Sequence, residues 1–151
     1  MPRTVALFAA SLVGALACSS DCGDAGCVPA LFADGSIETS SQQLVVTVCL
    51  NQRCASTELD LAAARCKDLT LSSDSRVCFA EAAPGRLRAE LEVHSIGGEL
   101  AFADGDLLAL EVSEKATAAV VADVQRTVTY EAVYPNGSEC GNACQAASVT
   151  F

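Results

Sequence analysis

Apolar and polar residues alternate over much of the second half of the chain. From Arg86 to Ser95 (RLRAELEVHS), Leu87, Ala89, Leu91 and Val93 fall on one side and Arg86, Arg88, Glu90, Glu92 and His94 on the other. A period of two is the strand repeat, so the segment predicts a β-strand with one face in a core and one in water. Asp106 to Ser113 (DLLALEVS) repeats the pattern with Leu108, Leu110 and Val112 inward. Thr127 to Tyr134 (TVTYEAVY) puts Val128, Tyr130, Ala132 and Tyr134 on one face, Thr129 and Glu131 on the other. Residues 43–50 (QLVVTVCL) and 146–151 (AASVTF) are β-branched and read as further strands, and 54–61 and 76–80 add weaker candidates.

About seven strands with turn signals between them predict an all-β domain, an antiparallel two-sheet sandwich of immunoglobulin-like type. The chain has no Trp and lacks the Cys, Trp, Cys spacing of true immunoglobulin domains, so the expectation rests on strand pattern alone. Glu58 to Lys67 (ELDLAAARCK) reads as coil or strand with room for a helical turn, and Thr117 to Val124 (TAAVVADV) as a strand. The phrase FADG occurs at Phe32–Gly35 and again at Phe102–Gly105, and with Asp-Gly in each both read as hairpin turns.

Ahead of the strands, residues 1–17 (MPRTVALFAASLVGALA) run from one Arg through an apolar stretch, Val5 to Leu16, to small residues. That is the plan of a secretory signal peptide, and it is too short to span a bilayer. Residues 18–36 are dense in Ser, Gly, Asp and Pro and read as a tether. The division expected is thus a signal peptide at 1–17, a tether at 18–36 and one disulfide-rich β-sandwich at 37–151. A chain of 151 residues has room for one sizeable core.

Charge narrows the partners. Without residues 1–17 only Arg3 is lost, leaving 19 acidic against 8 basic residues, a formal −11. Such a surface repels phosphate backbones, so nucleic acid is disfavoured as a partner. The acids are scattered, which is the pattern of a solubilising surface.

The nine cysteines are the strongest signal, and nine cannot pair completely. Ala15-Leu16-Ala17-Cys18 resembles the lipobox of bacterial lipoproteins, in which the cysteine after the signal peptide is acylated and becomes the mature N-terminus. The family prefers Leu three places before that cysteine, where this chain has Ala15, and the same residues fit the small-x-small site of ordinary cleavage. The resemblance implies lipidation at Cys18, a membrane partner through the lipid, and, from Ser19, the outer membrane of a cell that has one. In layout the whole chain is similar to the surface lipoproteins of bacteria.

The remaining eight, Cys22, Cys27, Cys49, Cys54, Cys66, Cys78, Cys140 and Cys144, are enough for four disulfides. If Asn51 and Gln52 form a two-residue hairpin loop, Cys49 faces Cys54 in a non-hydrogen-bonded pair, close enough to bridge. Proximity along the chain favours Cys140 with Cys144, Cys66 with Cys78 and Cys22 with Cys27, each such loop contributing roughly 2–3 kcal/mol. The Cys-x4-Cys and Cys-x3-Cys spacings lack the knuckle pattern of a zinc site, and His94 is the only nitrogen ligand on offer, so no metal or other cofactor is expected.

For catalysis the sequence marks nothing out. His94, the single histidine, lies on a polar strand face without a Gly-x-Ser-x-Gly elbow, and no carboxylate pair stands apart, so no catalytic residue is assigned. Asp104-Gly105-Asp106 can ligate calcium but lacks the rest of an EF-hand and reads as a turn; Asn136-Gly137-Ser138 after Pro135 does likewise. The expectation is a non-enzymatic binding, adhesion or scaffold module with an unidentified envelope partner. The alternatives are a small secreted hydrolase or inhibitor with its site in the loops, and a calcium-stabilised domain that gathers Asp34, Asp104 and Asp106.

Overall fold

A computed structural model describes residues 27–141 and 143–151; Cys18 and Cys22 lie outside the described residues. The strands are β1 Ala30–Glu38, β2 Gln43–Leu50, β3 Arg53–Asp60, β4 Cys66–Asp68, β5 Asp74–Ala83, β6 Arg86–His94, β7 Leu107–Glu114, β8 Val120–Thr127, β9 Glu131–Val133 and β10 Cys144–Thr150. They form two sheets, one of six strands in the order β4-β5-β6-β1-β10-β9 and one of four in the order β3-β2-β7-β8. Ten strands therefore stand where about seven were expected, in a sandwich that is antiparallel throughout except for β1 against β10, which run parallel with Ala30 opposite Ala146. Among the described residues no helix is long and apolar enough to cross a membrane.

The alternation read in the sequence builds the core. Leu87, Ala89, Leu91 and Val93 of β6 point inward with Leu31 and Ile37 of β1 and Val77 and Phe79 of β5; Leu44, Val46 and Val48 of β2 and Leu108, Leu110 and Val112 of β7 face them from the other sheet. At roughly 1.5–3 kcal/mol for each fully buried aliphatic or aromatic side chain, this double layer is the main source of stability.

Three segments differ from expectation. Phe32-Ala33-Asp34-Gly35 lies in the middle of β1, because Leu31, Ala33, Gly35 and Ile37 continue one buried face; the part of 18–36 from Ala30 onward is therefore strand rather than tether. Gly35 supplies no side chain to that face because the ring of Phe151 occupies it, and a Cβ at Gly35 would run into that ring and into the Phe151 carbonyl oxygen. The second copy, Phe102–Gly105, is a turn: the Asp106 N–H donates to Ala103 O at 3.0 Å and Gly105 takes φ of 92°. The expected strand 127–134 is broken, since β8 ends at Thr127 in one sheet and β9 begins at Glu131 in the other. Val128 and Tyr130 are buried at this crossover, whereas Ala132 and Tyr134 are exposed.

The register defines two poles. Residues 27–29 enter beside the end of β6 and the start of β10, with the Ser95 N–H donating to Pro29 O at 3.0 Å. The β2–β3 turn lies at this entry pole, and Asn51 takes φ of 56°, the sign that a primed hairpin turn needs at its first position. At the far pole stand the loops 39–42, 61–65 and 115–119 and the β5–β6 turn.

Candidate functional site

The described cysteines serve as staples. Cys49 opposes Cys54 and Cys66 opposes Cys78 in register, and both pairs are bonded, with Cα atoms 4.0 Å apart in each. The local pairs Cys140–Cys144 and Cys22–Cys27 are not formed: Cys27 bonds Cys144 instead. The cause is the parallel pairing of β1 with β10, which sets the beginnings of the first and last strands side by side, Cα to Cα 5.3 Å, across 117 residues of sequence. Cys140 is also disulfide-bonded, to a cysteine outside the described residues. Such a set of bridges fits an oxidising compartment outside the cytoplasm.

At the entry pole the Asp-Gly-Asp turn is tied into the fold by its own carboxylates. Asp106, 7% exposed, accepts from Asn51 Nδ2 at 2.9 Å, the Ala103 N–H at 3.0 Å and the Tyr130 hydroxyl at 3.2 Å. Asp104 accepts from the Tyr130 N–H at 2.7 Å, and the Tyr130 ring stacks on Phe102 with centroids 5.1 Å apart. Asn51 completes the tie by accepting from the Leu107 N–H at 2.9 Å. Burial, and then the charge and hydrogen bond of Asp106, push the Tyr130 phenol well above its ordinary pKa. Asp34 is remote from this turn, on the outer face of β1 beside Arg88 at 3.8 Å, so the gathering of Asp34, Asp104 and Asp106 does not occur. Among the described residues no group of three or more His, Cys, Asp or Glu is placed to hold a metal ion.

The outer face of the six-stranded sheet carries the densest display of functional side chains. Register aligns Phe32 and Arg76 with Glu92, and Asp34 and Cys78 with Glu90, on adjacent strands. Around a shallow depression of about 270 Å³ stand Phe32, Asp34, Arg76, Arg88, Glu90 and Glu92, with Cys78 beside them. The charges interlock: Arg76 with Glu92, Arg88 with Glu90 at 3.1 Å and with Asp34, and further along Arg86 with Glu38 at 3.1 Å. Exposed pairs of this kind contribute little stability each, up to about 1 kcal/mol. Their effect is to hold both signs in fixed places around an exposed ring, Phe32, whose edge-on neighbour is His94 at 5.7 Å and 86°. A second depression, of about 290 Å³, flanks Phe32 on its other side, lined by Thr129, Glu131, Val133 and Ser148.

His94 contributes its ring to Phe32 and makes no side-chain hydrogen bond among the described residues. Sequence reasoning found the outward set of β6 but did not place Phe32 and Asp34 beside it, because FADG was taken for a turn. The signal that would have found them is the spacing of Leu31, Ala33 and Ile37.

No protein-family model, curated protein or solved structure matches this chain.

Proposed function

We propose that the protein is an exported bacterial lipoprotein, anchored in the outer membrane through Cys18, whose sandwich is a non-catalytic module that binds an envelope partner with the outer face of the six-stranded sheet. The observation that carries the location is the cysteine count. Seven of the nine cysteines are bonded among the described residues, and three bridges use six of them. Cys140 takes one more from Cys18 and Cys22, which leaves one cysteine over. The proposal assigns Cys22 to Cys140, which leaves Cys18, directly behind Ala15-Leu16-Ala17, for a lipid that removes the problem of a free thiol in an oxidising compartment.

Support for a binding face is the mosaic around Phe32. An aromatic ring flanked by two depressions and ringed by ordered charges of both signs is suited to a protein partner that presents both signs in return. The test is intact-mass analysis of the membrane fraction from cells expressing the full chain. Wild type carries the mass of a diacyl or triacyl modification and partitions to membrane, and Cys18→Ser abolishes both. A Cys18→Ser protein that stays in the membrane with an unchanged mature mass would overturn the anchor.

A further inference from the structure

Large exposed apolar side chains are gathered at one end of the sandwich. Of the seven among the described residues, five stand at the entry pole: Val28, Ile96, Leu107, Val133 and Tyr134, each 42–47% exposed. A sixth, Phe32, belongs to the mosaic further along β1, and Val120, at the start of β8, is the one at the far pole. Register sets four of the five in a row. Ile96 follows Ser95, whose N–H donates to Pro29 O; Val28 lies between Pro29 and Cys27, the partner of Cys144; Val133 is opposite Cys144, and Tyr134 comes next. Leu107 stands on the other sheet at the same end, where its carbonyl accepts from the Asn51 N–H at 2.8 Å.

Hydrogen bonds hold the most prominent of them in place. Ile96 projects from a turn in which Gly97 and Gly98 take φ of 63° and 78°, and Ser95 Oγ closes the base of that turn, donating to Leu100 O at 2.7 Å and accepting from the Leu100 N–H at 3.0 Å. Glu99 fastens the turn to the neighbouring loop by accepting from the Ser73 N–H and hydroxyl, both at 2.8 Å. Single exposed apolar residues are ordinary, but five at one end of a sandwich whose other end has one mark a contact surface. The tether indicates what covers it. With Cys22 bonded to Cys140, as proposed above, four residues separate the acylated Cys18 from a bridge at this pole, at most about 14 Å of chain. The bilayer that holds the lipid is thus within reach of the pole at all times, and at that range weak contacts suffice.

We infer that the entry pole rests on the membrane surface, with Val28, Ile96, Leu107, Val133 and Tyr134 entering the interface of a zwitterionic phospholipid and the strands standing upright on it. The inference rests on lipidation at Cys18. Tyr134 suits headgroup depth, where a ring meets the apolar side and its hydroxyl meets water. The exposed charges of the pole, Asp74, Glu99, Glu131 and Glu139 against Arg53 and Arg126, are net acidic, which disfavours an anionic lipid. Upright strands leave the outer face around Phe32 open to a protein partner.

The chain has no Trp, so a single introduced indole is a unique probe. Full-length Ile96→Trp, Tyr134→Trp and Val120→Trp, all at exposed positions, are expressed, checked for the lipid by intact mass, and reconstituted into phosphatidylcholine vesicles with plain or brominated acyl chains. Emission from Ile96→Trp and Tyr134→Trp shifts to the blue and loses most of its intensity in the brominated vesicles, whereas Val120→Trp stays red and unquenched. Adding phosphatidylglycerol weakens the quenching, and quenching that strengthens instead overturns the choice of lipid. Protein that carries the lipid and floats with the vesicles, but is unquenched at both pole positions, overturns the membrane contact and leaves the anchor standing; a blue shift without quenching there assigns the pole to a protein partner or a second copy. Equal quenching at all three positions refutes the upright orientation. Absence of both the lipid mass and flotation overturns the anchor, and this inference with it.

Discussion

Replacing Asp106 isolates the knot that fastens the loop between β6 and β7 to the rest of the entry pole. Asp106→Ala strands the Tyr130 hydroxyl inside the protein and takes the acceptor from the Ala103 N–H at a partly buried position; Asn51, which is exposed, can turn its amide to water. The Tyr130 residue is 8% exposed, so its hydroxyl carries close to the full penalty of an unsatisfied buried group, while the Ala103 bond is only partly buried. At roughly 1–3 kcal/mol for each stranded donor, the expected loss is about 3 kcal/mol, a large share of the usual 5–15 kcal/mol of a domain.

Asp106→Asn separates the contributions. A single oxygen, Oδ2, accepts from both Ala103 and Tyr130, so a carboxamide oxygen in its place keeps both bonds, and only the Asn51 contact becomes donor against donor. The expected loss is about 1 kcal/mol. The assay is equilibrium urea unfolding with the disulfides intact, reading the midpoint at constant slope. If Asp106→Asn falls as far as Asp106→Ala, or if Asp106→Ala costs less than about 1 kcal/mol, the network does not hold the pole in the way described.

Two further outcomes follow from the same structure. Gly35→Ala drives a methyl into the Phe151 ring and destabilises by about 1–3 kcal/mol in thermal or urea unfolding; Phe151→Ala in the same chain recovers part of that loss, and strictly additive costs would refute the contact. The folded state holds the Tyr130 proton above the ordinary phenol pKa of about 10, so its contribution is fully present below pH 10 and is lost as the pH rises beyond it, at up to about 1.4 kcal/mol per pH unit. Tyr130→Phe removes that alkaline slope, and a slope that persists in the variant assigns it to other groups.

Strict alternation with a uniform face was legible in the sequence wherever it stayed within one sheet. β6 and β7 are of this kind, and their inward residues form the core as read. Thr127–Tyr134 alternates as regularly, but the chain changes sheets within it, and the pattern carries no mark of that step because Val128 and Tyr130 are buried at the crossover itself. The two copies of FADG adopt different structures because their neighbours differ. Ile37 and Leu31 continue the first as a strand, while Asp104 and Gly105 of the second are engaged by Tyr130 and Val128. Disulfides across a hairpin were readable from spacing; the Cys27–Cys144 bridge was not, since only the β1–β10 pairing brings those residues together.

The seam between β1 and β10 has a temporal side. A chain that emerges amino end first, from a ribosome or a translocation pore, delivers β1 at the outset and its parallel neighbour only with the last residues of the sandwich. Until then β1 has one lateral partner, β6, and Cys27 has no Cys144 to meet. Long-range pairing of this kind is slow to form, so the seam closes late in folding. The six-stranded sheet therefore stays open along one side of β1 until β10 has been made, and the Cys27–Cys144 bridge can form only after that.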